Sequence, residues 1–189
     1  MAFSILVPDS VISASHRTSL TSKMGNRQNG SDGTEIQQLF GVIGQNMVLQ
    51  ALGKPMMEPS NRHDGGIDFE IFGKRVDIKT MGRNVPPRLD FVNNFMVSQM
   101  AFNVDVIMFA SINRTDMRFS LCGWIPKENL LQRAVLHKKG STRTRDDQST
   151  FIMKADSFEI PNYHLHYSAT NWADLFVEIH QWACLGKTH

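Results

Sequence analysis

Three carboxylates and one amine alternate with apolar residues in the segment from Gly66 to Lys79, which has the pattern of a β-hairpin. Gly73 marks a tight turn between two short strands. A two-residue turn at 72–73 or at 73–74 pairs even-numbered positions of the first strand with odd-numbered positions of the second. Either turn predicts one polar face, formed by Asp68, Glu70, Asp77 and Lys79, and one apolar face, formed by Ile67, Phe69, Ile71, Val76 and Ile78.

The polar face has the chemistry of a divalent-metal site. Two or three carboxylate oxygens directed at one point hold Mg²⁺ or Mn²⁺. A lysine beside them can orient a water molecule or offset negative charge that develops on a phosphate. Taken alone, these residues also suit a hairpin whose polar face is simply solvated, so both interpretations stay open.

An amphipathic helix is predicted ahead of the hairpin. Thr34 can cap it, and Gln37 stands in the capping-box position three residues on. Gly53 ends the helix and Pro55 prevents its resumption. Its apolar residues fall on or near one face, and they are Ile36, Leu39, Phe40, Ile43, Met47 and Leu52.

The downstream order of elements predicts an α/β fold, with a mixed central sheet flanked by helices. Residues 104–112 are almost continuously apolar, which is typical of a buried central strand. Further strands are predicted at 118–125 and 151–155, short helices at 127–137 and 171–182, and a charged loop at 138–150. Residues 1–33, rich in Ser, Asn and Gly, are expected to form a flexible N-terminal arm with a short strand-like piece at 3–7, and residues 34–189 a single domain.

The hairpin resembles the catalytic segment of the PD-(D/E)XK nuclease superfamily, whose members share the restriction-endonuclease-like fold. Asp68 stands for the first acid of the family motif, and Asp77-Ile78-Lys79 stands for (D/E)-x-K. Residues 41–53 look like the family's first helix, and residues 121–131 resemble a segment found after the core strands in some phage and restriction-type members. The resemblance covers roughly residues 34–165.

The resemblance implies a metal-dependent nuclease with a restriction-endonuclease-like core. Asp68, Asp77 and the Ile78 carbonyl would bind Mg²⁺ or Mn²⁺, and Lys79 would be catalytic. Gln45 is expected to belong to the same site, at a position where many family members carry glutamate. Its amide can accept a hydrogen bond but brings no charge. Glu70, on the face of Asp68, is a candidate for the missing carboxylate by strand parity.

Composition bounds the remaining possibilities. At 189 residues, with 41% hydrophobic and 20% charged content, the chain is expected to be one soluble domain. No apolar run approaches the roughly 18 residues that span a bilayer, and the first residues lack a signal-peptide pattern. Two cysteines do not make a disulfide framework. A cytoplasmic location is therefore expected, in the host cytoplasm if the chain is phage-encoded.

The net charge of +2 is mild, but basic residues cluster at 16–27 and at 133–145 without any acid. Such segments either follow a phosphate backbone or form solvated loops. Arg83 and Arg88, just past the hairpin, are further candidate phosphate contacts.

The predicted function is that of a DNA endonuclease, with DNA as the partner and no membrane. Two alternatives stay open: a catalytically silent nucleic-acid-binding module of the same fold, and a nuclease directed at RNA or at DNA junctions. The small size and the absence of a helicase or methylase module favour a phage or mobile-element enzyme by association. A homodimer is compatible with the sequence.

Overall fold

The computed structural model describes residues 2–21, 34–58, 66–144 and 148–185, and its main feature is a five-stranded mixed sheet. The strands lie in the order β1 (Phe3–Leu6), β6 (Arg118–Pro126), β5 (Val106–Asn113), β3 (Lys74–Arg83) and β2 (Phe69–Ile71). β3 and β5 are parallel, and the other neighbouring pairs are antiparallel. The predicted α/β class with a mixed sheet is confirmed.

The centre of the sheet is its most apolar part. Every residue of β5 from Val106 to Ile112 is buried, because the strand has a neighbour on each side and a packed layer on each face. The predicted buried strand at 104–112 and the predicted strand at 118–125 are both confirmed, as β5 and β6.

Helices cover one face of this sheet. They are α1 (Asp9–Thr21), α2 (Glu35–Ala51) and α4 (Trp172–Leu185), whose buried residues join Val76, Met108 and Leu121 in one hydrophobic core. α2 has the predicted limits. The Thr34 main-chain N–H donates to Gln37 Oε1 over 2.8 Å at its start, and Gly53 follows its end with φ of +65°, which favours glycine.

A second, three-stranded sheet packs on the opposite face, where the sequence predicted helices. Its order is β4 (Val92–Met96), β10 (Ser157–Pro161) and β7 (Val135–His137). Phe95 and Ile160 from this sheet form a second core with Ile107, Phe109 and Ile125 of the central sheet. Helices therefore flank the central sheet mainly on one side.

The segment after β6 differs from its prediction. The helix expected over 127–137 is α3 (Lys127–Arg133), and the chain then continues as β7. The expected loop over 138–150 contains one strand of a small hairpin, β8 (Thr142–Thr144) paired with β9 (Thr150–Ile152). Alternating polar and apolar residues in segments as short as three residues give too weak a signal to predict such strands.

The N-terminal segment also corrects a prediction. Residues 3–6 pair with β6 as an edge strand, and residues 9–21 form α1, which packs on α2. Val7 and Val11 are buried in the first core. This part of the predicted flexible arm therefore belongs to the folded domain, whereas residues 22–33 lie outside the described residues. No helix of the described ranges is both long enough and apolar enough to cross a membrane.

Candidate metal centre

The β2–β3 hairpin has the register that the carboxylate pattern predicted. Phe69 faces Val76, Glu70 faces Arg75 and Ile71 faces Lys74, so the turn is the two-residue turn at 72–73. Both turn residues have positive φ, 51° at Phe72 and 71° at Gly73, which is the geometry of the hairpin turns that follow strand twist. Apolar residues of the hairpin consequently point to the helical face.

The ladder is interrupted at Asp68. The Asp68 N–H donates to the Val76 carbonyl over 2.9 Å, so Asp68 and Phe69 both face one residue of β3, as in a β-bulge. Ile67 consequently packs in the second core, although strand alternation predicted it beside Phe69. The extra residue redirects the Asp68 carboxylate, and its Oδ2 accepts the Ile78 N–H over 2.7 Å.

Asp77 and Lys79 form an ion pair on the other face of β3. Lys79 Nζ lies 2.7 Å from Asp77 Oδ1, and the two side chains are 22% and 2% exposed. The Lys79 ammonium also lies 5.8 Å from the centre of the Phe95 ring, which belongs to the second sheet. Asp77 is therefore held in the layer between the sheets, next to a lysine that retains a path to solvent.

Helix α2 brings Gln45 to the same place. Gln45 is 8% exposed, and its Nε2 donates to the Asp68 main-chain carbonyl over 2.8 Å. The helix approaches β3 closely because Gly44 has no side chain, and a Cβ there would lie 1.8 Å from Thr80 Oγ1. The hydrogen bond ties the helix to the bulge, and so fixes the position of Asp68.

The donor set suits a small hard cation. The Asp68 carboxylate accepts the Ile78 N–H, and Asp77 is the residue before Ile78. Both acids are therefore next to the peptide group that joins Asp77 to Ile78. In a strand, the N–H and C=O of one residue point to the same neighbour, so the Ile78 carbonyl is directed to the edge where Asp68 lies. Mg²⁺ is usually held by one or two carboxylates and keeps several waters. The described residues contain no group of three or more His, Cys, Asp or Glu side chains that could hold a metal, so the candidate centre depends on two carboxylates and one main-chain carbonyl.

Glu70 does not join this group. It is exposed, and its neighbour across the hairpin is Arg75. The Arg75 guanidinium in turn binds Asp105 over 3.0 Å, and the hydrogen bond from Arg75 holds the pKa of Asp105 below its ordinary value. Strand alternation correctly placed Glu70 on the same face as Asp77. Glu70 lies two residues beyond Asp68, however, and its cross-strand neighbour is Arg75.

Three of the predicted phosphate-binding cations pair with acids within the protein. Arg88 binds both oxygens of Asp90, each over 3.0 Å. In the basic segment 133–145, Lys138 binds Asp156 and Arg143 binds the buried Glu159. Arg145 lies outside the described residues. The prediction of a phosphate-binding role for 133–145 therefore stays a prediction, with two of its five cations already paired.

Arg114 was missed by the sequence reasoning. It follows β5 directly, is exposed, and its N–H donates to the Arg83 carbonyl over 2.8 Å. Because β3 and β5 are parallel, their C-terminal ends meet at one edge of the sheet, which brings Arg83 and Arg114 together. The sequence signal for this pair is an arginine at the end of one strand, or directly after it, in each of two parallel strands.

Comparison of the chain with protein-family models, with curated proteins and with solved structures finds no match. The resemblance to the PD-(D/E)XK nucleases therefore stays a prediction from the residue pattern.

Proposed function

We propose that the protein is a divalent-metal-dependent nuclease that hydrolyses phosphodiester bonds in DNA, with a restriction-endonuclease-like core formed by α2, the β2–β3 hairpin and β5. One observation carries the proposal: the Asp68 carboxylate accepts the Ile78 N–H next to the buried pair of Asp77 and Lys79, and Gln45 of helix α2 binds the Asp68 main chain. An ordinary solvated hairpin would not need a buried carboxylate at Asp77 or a helix tied to the bulge.

Asp68 and Asp77, with the Ile78 carbonyl, are the residues that would hold Mg²⁺ or Mn²⁺. A bound cation of this kind supplies a nucleophile at neutral pH and stabilises charge on the scissile phosphate. The Ile78 N–H fixes the orientation of the Asp68 carboxylate through its hydrogen bond to Oδ2. Burial of Asp77 keeps its charge in a region of low dielectric, where it interacts strongly with any cation.

Lys79 supplies a mobile positive charge to the site. Its ammonium neutralises Asp77 when no other cation is near. Because the lysine side chain is long and partly exposed, the ammonium can turn towards a phosphate and offset charge in the transition state. Gln45 acts as a positioning residue, since its hydrogen bond is to the main chain of Asp68.

A silent nucleic-acid-binding module is the second candidate, and the same contacts favour it. Lys79 compensates Asp77, and Gln45 binds a main-chain carbonyl, so these groups have partners inside the protein. Such a module would not require a metal. Activity separates the two candidates.

The test is incubation of the protein with supercoiled, linear and single-stranded DNA, with Mg²⁺, Mn²⁺ or EDTA. The proposal expects metal-dependent cleavage that Asp77→Asn abolishes. Asp116→Asn is the matched control, because Asp116 is an exposed turn residue whose Oδ1 accepts the Arg118 N–H, which asparagine can also do. RNA and a four-way DNA junction test the remaining substrates. Lack of cleavage of every substrate, or full activity of Asp77→Asn, would refute the proposal.

A further inference from the structure

Among the described residues, one side of β3 has no strand partner beyond the bulge. β2 pairs with β3 only from Lys74 to Val76, whereas β5 pairs with the other side along its length to Arg83. The Arg75 and Arg83 carbonyls accept hydrogen bonds from the β5 side, so odd-numbered residues of β3 point their main-chain groups towards β5. Even-numbered residues therefore point theirs to the open edge. In the described part of the chain, this edge runs from Ile78 to Gly82.

The carboxylates stand at one end of this edge, and arginines stand at the other. Arg83 ends β3 on the face of the second sheet, where its guanidinium lies 4.8 Å from the Phe91 ring and donates to the Val92 carbonyl. Arg114 crosses the other face, close to Gly82, because a Cβ at Gly82 would lie 2.8 Å from Arg114 Nε. The two guanidinium groups thus straddle the last residues of the strand.

These two cations are not neutralised by the acids around them. Among the described residues, Asp90 binds Arg88 and Asp116 lies 3.8 Å from Arg118, while no carboxylate lies within ion-pair distance of Arg83 or Arg114. Burial lowers the pKa of Arg83, because its guanidinium lies against the Phe91 ring and away from water. Arg114 remains exposed. Arginine binds phosphate well, so these two cations at the end of β3 are candidate phosphate ligands.

We infer that the open edge of β3 is a track for the phosphate backbone of DNA, with Arg114 and Arg83 as phosphate ligands at its far end. The inference rests on the proposed function, because it makes the track the continuation of the candidate metal centre. Six residues of strand separate Asp77 from Arg83, or roughly 20 Å. The arginines would therefore hold a phosphate of the same DNA strand several nucleotides from the bond cut. The Thr80 and Gly82 N–H groups are donors between the two ends.

The experiment measures binding without cleavage. Fluorescence anisotropy of a labelled 20-base-pair duplex and of its single strand is recorded in EDTA at several salt concentrations. Arg114→Ala is expected to weaken binding and to lower the slope of log K against log salt by about 0.9 for duplex or about 0.7 for single strand, the value for one lost phosphate contact. Arg114→Lys should retain the slope, because it retains the charge.

Arg118→Ala is the matched control. Arg118 is also an exposed arginine, but it lies 3.8 Å from Asp116, and it begins β6, which β5 separates from β3. It should leave the slope unchanged. Equal effects of Arg114→Ala and Arg118→Ala, no effect of Arg114→Ala, or no binding of either DNA would overturn the track.

The two proposals fail separately. Cleavage by the wild type with an unchanged salt slope in Arg114→Ala would remove the track and leave the nuclease. DNA binding that loses one phosphate contact in Arg114→Ala, without cleavage under any metal, would support the track and remove the nuclease. Preference for RNA of the same sequence, with no measurable binding of DNA, would overturn the assignment of the track to DNA.

Discussion

The ion pair between Asp77 and Lys79 gives a prediction about stability that does not depend on substrate. Lys79→Met removes the ammonium while keeping most of the side-chain volume, so a carboxylate that is 2% exposed loses its cationic neighbour. Removing one partner of a buried pair costs about 3 kcal/mol at the low end of the measured range, which suits a lysine that is partly exposed. In a chain of this size, that loss corresponds to a fall of about 6 to 12 °C in the unfolding temperature.

The assay is thermal unfolding followed by circular dichroism, with and without Mg²⁺. A cation at the site replaces the missing ammonium, and at about 100 times its Kd it contributes about 2.7 kcal/mol, nearly the whole loss. Mg²⁺ should therefore stabilise Lys79→Met more than the wild type. The double variant Asp77→Asn/Lys79→Met contains neither charge and should be close to the wild type without metal.

Two results would refute this reasoning. A Lys79→Met unfolding temperature within about 2 °C of the wild type would mean that the Asp77 charge does not depend on the lysine. A double variant as unstable as Lys79→Met alone would trace the loss to packing against Phe95 and not to charge.

Three further predictions concern the surroundings of the site. Gly44→Ala should lower the free energy of unfolding, measured by chemical denaturation, by about 1 to 3 kcal/mol, because its Cβ would overlap a β3 side chain. In the control Gly41→Ala, the added Cβ meets nothing within 4 Å, so the free energy of unfolding should rise by up to about 1 kcal/mol. Equal effects of the two substitutions would contradict the packing of α2. In the folded protein, the pKa of Asp105 lies below its ordinary value of 3.8. Its ion pair with Arg75 therefore stabilises the fold above pH 3.8, and this stabilisation is lost as the pH falls through the pKa of the folded state. The difference in unfolding temperature between the wild type and Asp105→Asn should be constant from pH 6 to 8 and shrink below about pH 4, and a constant difference at all pH values would contradict the pairing. Native protein should expose one thiol to alkylation, Cys184, because Cys122 is buried and burial raises its pKa; two fast thiols would contradict this.

The sequence predicted those elements whose local pattern and tertiary surroundings agree. α2 has a capping sequence at one end and a glycine at the other, and its limits were predicted closely. β5 is apolar throughout because both of its faces are buried, and continuous apolar character is readable without knowing the partners. In the N-terminal segment only the strand-like character of residues 3–7 was predicted. Helix α1 was missed because its sequence is rich in Ser and Thr, which are weak helix formers, and it packs on α2.

The candidate site was predictable in its composition but not in its detailed geometry. Parity arguments gave the turn and the grouping of Asp77 with Lys79. They could not give the bulge at Asp68, because a bulge adds a residue without any change in the apolar pattern ahead of it. Glu70 and the cations of 133–145 were assigned by position on a face or by charge, whereas their roles depend on neighbours such as Arg75 and Glu159 that only the tertiary structure supplies.

The candidate metal centre is tested most directly by calorimetric titration of Mn²⁺ into the wild type, Asp68→Asn, Asp77→Asn and Asp116→Asn. We expect a binding site in the wild type that either of the first two substitutions weakens by about tenfold or more, since each removes one of the two charges that hold the cation. Asp116→Asn should bind as the wild type does. No binding by the wild type, or equal binding by Asp77→Asn, would contradict the assignment of a metal centre to this hairpin.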